Sequence, residues 1–401
     1  MKLKRSFFIT VSVFLSICLS CCSKQEADYA DMVKDVSSAV LNNMFREGAD
    51  SSDPDDKIFT LGHCSDIHAE SLNWDINLQE FFDFFHSPEL KPYTDAIICT
   101  GDICNGFPCR DKNITLSEIS RVSNHFLNLD IPSFFLIGNH DTNIEEAGSA
   151  NIDDIYKSAL TKEEQYRYII KPLAEKWGYA HTGKSYYKKV FDKYKIVLIA
   201  LDFVDYPILE SRDGLSKLWY KCGYIFSGEQ LKWLYHALCE IPKDYGLIMA
   251  VHSLPHTKLQ VGIYDQGISL LTEIVHAYMN GTLYSHEWKN PKYGALKTKQ
   301  DFDFTGYGKK EFICWLGGHI HSRAVTTSDI YPDQLMISAP ALFTEKSRYP
   351  GLPFLERHSG DDTRNSFNII QIDRKDRKIF LTCFGAYQDE NIRSRSLTLS
   401  Y

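Results

Sequence analysis

Apolar and polar positions along this chain fall into short blocks that predict a sheet protein with crossover helices. Ile58 to Cys64, Asp95 to Thr100 and Phe134 to Ile137 are compact apolar runs of strand length. Helical spacing fills the intervals between them, over Leu78 to Phe85 and Leu116 to Asn128. The order β-α-β-α-β is that of a sheet whose strands are joined by helices crossing one face. Residues 144–178 read as helical, with an amphipathic stretch closed by Gly178. Ser185 to Val190 and Lys195 to Asp202 read as a hairpin, and residues 203–228 as an aromatic loop. A helix over Gly228 to Cys239 and a strand over Leu247 to Val251 follow. Residues 253–310 form a long insertion with a helix over 270–279 and an aromatic, basic loop around Trp288 to Tyr293. The last strands, Phe312 to Leu316, Leu335 to Ser338, Phe367 to Ile372 and Lys378 to Phe384, have no long helices between them. A sheet that begins with crossovers and ends with antiparallel strands predicts an α/β fold: two packed mixed β-sheets, a β-sandwich, flanked by α-helices.

The first residues do not belong to that pattern. Lys2, Lys4 and Arg5 precede an apolar run from Phe7 to Leu19, of signal-peptide length and short for a membrane span. The run ends in Leu19-Ser20-Cys21-Cys22, which resembles a bacterial lipobox, where the Cys is lipidated and becomes the mature N-terminus. Either Cys21 or Cys22 fits imperfectly, and an ordinary secretory signal is the other reading. Residues 1–21 are therefore expected to be a lipoprotein-type signal, and 22–56 a tether with an opening helix over 29–46. A single domain over 57–401 then carries insertions at about 144–184, 203–228 and 253–311. The expected place is the cell envelope, exported and anchored by lipid.

Charge and cysteine narrow the partners. Without the three positive charges of residues 1–20, the formal charge of −8 becomes −11. An acidic surface offers no footprint for duplex nucleic acid, although bound metal ions would reverse the local field for an anionic substrate. Cys64, Cys99, Cys314 and Cys383 sit in apolar strand-like runs and read as small buried hydrophobes. Cys104 and Cys109 share one loop and could close a small disulfide in an oxidising compartment, but spacing does not fix the connectivity.

The polar residues at the strand ends carry the chemistry. The first strand runs into Ser65-Asp66-Ile67-His68, the second into Gly101-Asp102, and the third into Gly138-Asn139-His140-Asp141. The strand at 247–251 ends in His252, and that at 312–316 in Gly317-Gly318-His319-Ile320-His321. Sites in open α/β sheets lie beyond the carboxyl ends of strands. One such end is an ordinary turn; five in succession, all with Asp, Asn or His, point to a common site. Asp66, His68, Asp102, Asn139, His252, His319 and His321 are more donors than one cation needs, and suit two divalent ions sharing a carboxylate. In extended backbone, Asp66 and His68, and likewise His319 and His321, would project to one side.

The ordered set SDIH, TGDICN, GNHD, VHS and GGHIH resembles the calcineurin-like metallophosphoesterase superfamily, whose blocks are DxH, GD, GNH(D/E), H and GHxH. The resemblance spans residues 64–321 and implies a β-sandwich flanked by helices. It implies that Asp66, His68, Asp102 and His321 hold one metal ion, and Asp102, Asn139, His252 and His319 the other. The ions would be divalent or transition metals: Mn, Fe, Zn or a mixture. Hydroxide bound between them would attack phosphorus. His140 would be no ligand, but would protonate the leaving oxygen or stabilise the transition state. Asp141 would orient it by a hydrogen bond.

Departures from subfamily patterns narrow the substrate. Ile103-Cys104-Asn105 replaces the VDRG of Ser/Thr protein phosphatases, and no Tyr stands three residues after Asp102 as in purple acid phosphatases. The remaining pattern looks like bacterial phosphodiesterases, nucleotidases and sphingomyelinase-like members. Arg110, Arg212, Lys289, Lys292 and Arg323 are candidates to contact a substrate phosphate or lipid headgroup, and each also reads as ordinary surface charge. The insertions are expected to wall the cleft. The leading reading is a phosphoesterase, diester slightly ahead of monoester. The other class is a non-catalytic binding or scaffold protein on a decayed phosphoesterase fold, which would have lost a ligand or the histidine; none is missing here.

Overall fold

The computed structural model describes residues 29–45, 57–69, 74–106, 111–144, 154, 157–181, 183–205, 225–256, 269–289, 297–342, 365–385 and 395–401. The signal segment, the residues carrying Cys21 and Cys22, and Cys109 lie outside them. No helix among the described residues is long and apolar enough to cross a membrane.

Helix α1 occupies residues 29–44. After it come β1 (Phe59–Cys64), α2 (Trp74–His86), β2 (Ala96–Cys99), α3 (Lys112–Asn128) and β3 (Ser133–Phe135). Helix α4 has two α segments, Lys162–Gln165 and Lys171–Trp177, joined by a π turn over Tyr166–Ile170. Then follow β4 (Ala180–His181), β5 (Tyr187–Phe191), β6 (Ile196–Ala200), α5 (Gly228–Cys239), β7 (Gly246–Ala250) and α6 (Leu270–Asn280). Strands β8 (Leu283–Lys289), β9 (Lys297–Asp303), β10 (Glu311–Gly317), β11 (Ala324–Thr327) and β12 (Leu335–Ser338) come next. Strands β13 (Phe367–Asp373), β14 (Lys378–Phe384) and β15 (Ser396–Ser400) end the chain.

Two mixed sheets carry these strands. One has the order β15-β14-β13-β1-β2-β3, the other β11-β12-β10-β7-β6-β5-β4. The helix-connected strands β1, β2 and β3 are parallel, as crossover connections require. So are β6, β7, β10 and β12. The flanks, joined without helices, are antiparallel: β1 with β13, β13 with β14, and β5 with β6. The parallel centre of each sheet therefore points its carboxyl ends the same way within that sheet, and the motif-bearing turns of both sheets gather at one end of the sandwich.

Aromatic packing seals the layers. Phe81 and Phe85 of α2 lie 5.0 Å apart between ring centroids, and Phe81 is 4.9 Å from Phe367 of β13. Phe126 of α3 meets Phe135 of β3 at 4.6 Å. Between the sheets, Phe59 of β1 packs on Phe191 of β5 at 4.7 Å, and the Tyr187 hydroxyl donates to the Phe135 carbonyl. All but the partly buried Phe191 are buried, and a buried Phe contributes about 1.5–3 kcal/mol.

Five elements differ from the sequence reading: α1, β8, β9, β11 and β15. The segment around Trp288 and Lys289 is not loop: β8 and β9 pair as a two-stranded hairpin, with residues 290–296 outside the description. Its alternation was hard to see because the buried positions, His286, Thr298 and Phe302, are mostly polar. Strands β11 and β15 escape the sequence reading because they are short and half exposed. Helix α1 is more than an opening segment of a tether. Met32, Val36 and Val40 are buried, and Asn43 donates to Gln371 of β13.

Candidate active site

The turns at the strand ends are unusual before any side chain is considered. Asp66, His68, Asp102, His319 and His321 all have left-handed backbone, with φ of 53°, 47°, 53°, 70° and 57°. The expectation of extended backbone at Asp66/His68 and His319/His321 was therefore wrong. Each chain leaves its strand, reverses in the left-handed region and so aims its side chain back over the sheet end. That conformation costs a non-Gly residue about 1–2 kcal/mol, and such strain collects at functional sites.

Backbone hydrogen bonds tie these turns together. Asp66 N donates to Gly101 O, His68 N to Asp102 O, and Gly318 N to His252 O. Two glycines allow close approach. A Cβ on Gly138 would stand 2.0 Å from Asp102 Oδ1, and one on Gly318 would stand 1.8 Å from Ser65 Oγ. Gly138 does not have positive φ, so its role is space for Asp102.

The side chains meet in two groups. Donor atoms of Asp66, His68, Asp102 and His321 lie within 4.8 Å of one another, as do those of Asp102, His252 and His319. Asp102 belongs to both. Its Oδ1 accepts the His140 backbone N–H at 2.9 Å, which fixes the carboxylate. Its Oδ2 lies 3.2 Å from His252 Nε2 and 3.9 Å from His68 Nε2, between the two groups. Asp66 is held likewise. Oδ2 accepts from His319 N, and Oδ1 faces His321 Nε2 at 3.5 Å. Asn139 joins the second group through Oδ1, 3.1 Å from His252 Nε2. All seven sequence-chosen donors are thus brought to one place.

Whether cations fit can be judged from the hydrogen atoms. His252 Nδ1 lies 2.7 Å from Thr100 O, a carbonyl that only accepts, so Nδ1 carries a proton. In the neutral ring Nε2 then presents a lone pair to Asn139 Oδ1 and Asp102 Oδ2. Three acceptors face one another. His68 Nε2 and His321 Nε2 also stand only 3.0 Å apart. Asp66 Oδ1 and Asp102 Oδ2 are buried without a hydrogen-bond partner of good geometry. Buried acceptors in this arrangement need positive charge among them. Without a cation, protons must supply it. Burial, with Asp102 adding to it, pushes Asp66 up to about 7. Burial opposes protonation of His252, but Asp102 outweighs it and raises the ring to about 9. Burial holds His68 well below the ordinary histidine range. The oxygen and imidazole donor set suits divalent transition metals.

Asp66, Asp102, Asn139, His252 and His319 are buried, whereas His68, His321 and His140 keep some exposure. The open side of the cluster is therefore the His68–His140 side, where the two rings meet edge-on at 4.7 Å.

His140 is oriented differently from the sequence reading. Its Nδ1 lies 2.6 Å from the Asn105 carbonyl. Asp141 instead accepts from the backbone of Ile103 and Cys104 on Oδ1 and from Gly138 on Oδ2, at 2.9, 3.1 and 2.8 Å. It clips the loop after β2 to the turn after β3 that carries His140. Sequence reasoning missed Asn105 because its carbonyl, not its side chain, does the holding. It missed Phe203 as well, whose ring packs 5.2 Å from His252 and 6.3 Å from His319. Cys104 is a free buried thiol against Asp141 Oδ1, not half of a disulfide. Arg323 is no substrate contact: it is 2 % exposed and donates to Asn368, Ser366 and the carbonyls of Phe367 and Phe384. Lys289 is exposed on β8, and Arg110, Arg212 and Lys292 lie outside the described residues.

Comparison with known proteins agrees with this geometry. The chain matches the sequence profile of the calcineurin-like phosphoesterase family over residues 59–323 and belongs to that family. It is accordingly a metal-dependent phosphoester hydrolase in its broad class, with an Asp/His cluster of the kind the family uses for divalent metals. No curated protein matches the sequence. Among solved structures it is similar to Plasmodium GAP50, described as the anchor in the inner membrane complex, at 12% identity and a TM-score of 0.41. That match covers 86% of this chain and 89% of GAP50. Phosphopantetheinyl hydrolase from Mycobacterium tuberculosis is 11% identical with a TM-score of 0.39, covering 70% of this chain and 89% of that one. NAD nucleotidase from Haemophilus influenzae is 11% identical with a TM-score of 0.31, covering 86% of this chain and 50% of that one.

Proposed function

We propose that this protein hydrolyses phosphodiesters, and phosphomonoesters less readily, at two Mn, Fe or Zn ions, on the outer side of a bacterial membrane where a lipid on Cys21 or Cys22 holds it. The observation that carries the reading is Asp102, whose fixed carboxylate stands between two groups of donors. Asp66, His68, Asp102 and His321 would hold one ion; Asp102, Asn139, His252 and His319 would hold the other. Two such ions supply Lewis acidity for the phosphoryl oxygens and a water acidic enough to attack near neutral pH.

The chain's own residues do the rest. Thr100 O fixes the His252 tautomer so that Nε2 faces the site. Asn105 O does the same for His140: with Nδ1 committed to a carbonyl, Nε2 is the atom that exchanges a proton. His140 donates that proton to the leaving oxygen as its bond to phosphorus breaks. Asp141 is a positioning residue. The preference for diesters rests on this donor, because an alkoxide leaves poorly unless protonated. The substrate is a small phosphate ester or a lipid headgroup.

The deciding experiment loads purified protein with Mn, Zn or Fe, measures bound metal, and compares bis-p-nitrophenyl phosphate, p-nitrophenyl phosphate, nucleotides and phospholipids as substrates. About two metal ions per chain and faster diester than monoester turnover are expected. Trace metal after loading, or no turnover of any ester, rejects the reading; faster monoester turnover rejects the preference.

A further inference from the structure

Helix α1 runs along the first sheet from the site end to the opposite end. Its first described residue, Tyr29, packs edge-on against Phe384 at 6.1 Å. Phe384 pairs with Phe367 in β14–β13, and Asn368 pairs with His63 of β1, next to the turn that holds Asp66. The Phe384 carbonyl also accepts from Arg323, two residues beyond His321. At the helix's other end, Met44 Sδ accepts from Thr60 near the start of β1, and Phe45 packs on Tyr93 just before β2. The chain therefore enters the fold at the same end as the metal site.

The tether is short. From Cys22 to Tyr29 is seven residues, which span at most about 25 Å when fully extended. A domain of this length is about 50 Å across. An inverted orientation, with the site end pointing away from the membrane, would carry Tyr29 about 50 Å from the bilayer and cannot be reached. We infer that the site end faces the bilayer and that the substrate is a phosphodiester of a lipid headgroup in the membrane that anchors the protein. This rests on the metal-dependent hydrolysis and the lipid anchor proposed above. A site held at the headgroups by a short tether sees them at high effective concentration.

Two exposed isoleucines mark the two ends. Ile114 begins α3 on the site side, just after the β2 loop, and Ile330 lies in the β11–β12 turn on the opposite side. In the lipidated, metal-loaded full chain on phosphatidylethanolamine/phosphatidylglycerol vesicles, a fluorophore is placed at position 114 or, separately, at 330. Energy transfer to headgroup-labelled lipid is expected to be at least twofold greater from 114; equal or reversed transfer overturns the orientation. The same vesicles are assayed for headgroup release, with a variant carrying thirty Gly/Ser residues after residue 28. Lengthening the tether should slow headgroup release about tenfold, with bis-p-nitrophenyl phosphate hydrolysis and vesicle flotation unchanged. Equal release at both tether lengths, or no release beside intact hydrolysis of the soluble ester, overturns the substrate. Failure to float identifies the anchor as the faulty premise, and loss of soluble-ester hydrolysis identifies the catalytic one; either overturns the inference.

Discussion

Gly138 stands so close to Asp102 that a single methyl group would occupy the place of the carboxylate: the added carbon would lie 2.0 Å from Oδ1 and 2.3 Å from the Asp102 nitrogen. Gly138→Ala is therefore expected to displace the one residue common to both donor groups. Overpacking of this kind costs about 1–3 kcal/mol. The larger effect should be on metal content, falling below one ion per chain by elemental analysis, with turnover down at least 100-fold, or about 3 kcal/mol of barrier. Retention of two ions would show that the turn relaxes without moving Asp102.

His140→Ala should separate metal binding from proton transfer. The ring's Nδ1 is bonded to Asn105 O and lies in neither donor group. Metal content should stay the same while turnover falls about 10²–10⁴-fold on esters with alkoxide leaving groups. The loss should be smaller on p-nitrophenyl esters, whose leaving group needs no proton. An equal loss on both would reject the role of acid.

Asp141→Asn tests the backbone clip. Asp141 accepts three amide hydrogens, and an Asn amide nitrogen in its place would face a donor with a donor. Turnover should fall about 10–100-fold with metals retained, and the loss should follow the leaving group as it does for His140. Loss that ignores the leaving group would mean that the clip serves only the fold.

His63 predicts the acid limb of stability. Burial, helped by the charge of Arg323 and opposed by the Gly317 backbone, holds it down to about 3. Below pH 6.5 the unfolded chain takes up a proton that the folded chain refuses. Stability is then full above pH 6.5 and lost as pH falls towards 3, by about 2 kcal/mol at pH 5. His63→Gln should flatten that limb in urea titrations between pH 7 and pH 5. An unchanged slope would assign the acid sensitivity to other groups.

Arg323→Met should be destabilising without touching the substrate. It strips donors from Asn368 Oδ1 and two strand carbonyls that are buried beneath the site. A loss of about 3 kcal/mol or more in denaturant unfolding is expected. A rise in KM with unchanged stability would restore the substrate contact read from the sequence.

Much of this site was legible in the chain because donors at strand ends are a matter of order and spacing. Asp66, Asp102, Asn139, His252 and His319 needed only the recognition that five strands end alike. What held them was not legible. The carbonyls of Thr100 and Asn105 that set two imidazole tautomers come from the backbone, which every residue has. The left-handed turns at Asp66 and His319 were concealed because Asp and His, although enriched in that conformation, adopt it far less often than Gly. Arg323 looked like surface charge because its acceptors lie more than forty residues away along the chain.

The left-handed backbone at five donors has a consequence for how such a protein can change. Glycine at Asp66, His68, Asp102, His319 or His321 would relieve about 1 kcal/mol or more at each position. In metal-free protein it would also remove acceptors that repel one another. Loss of chemistry and gain of stability thus lie along the same substitutions. Only continued use of the site keeps these side chains in place, and a lineage that stopped using it would be expected to lose them while its two sheets stayed intact.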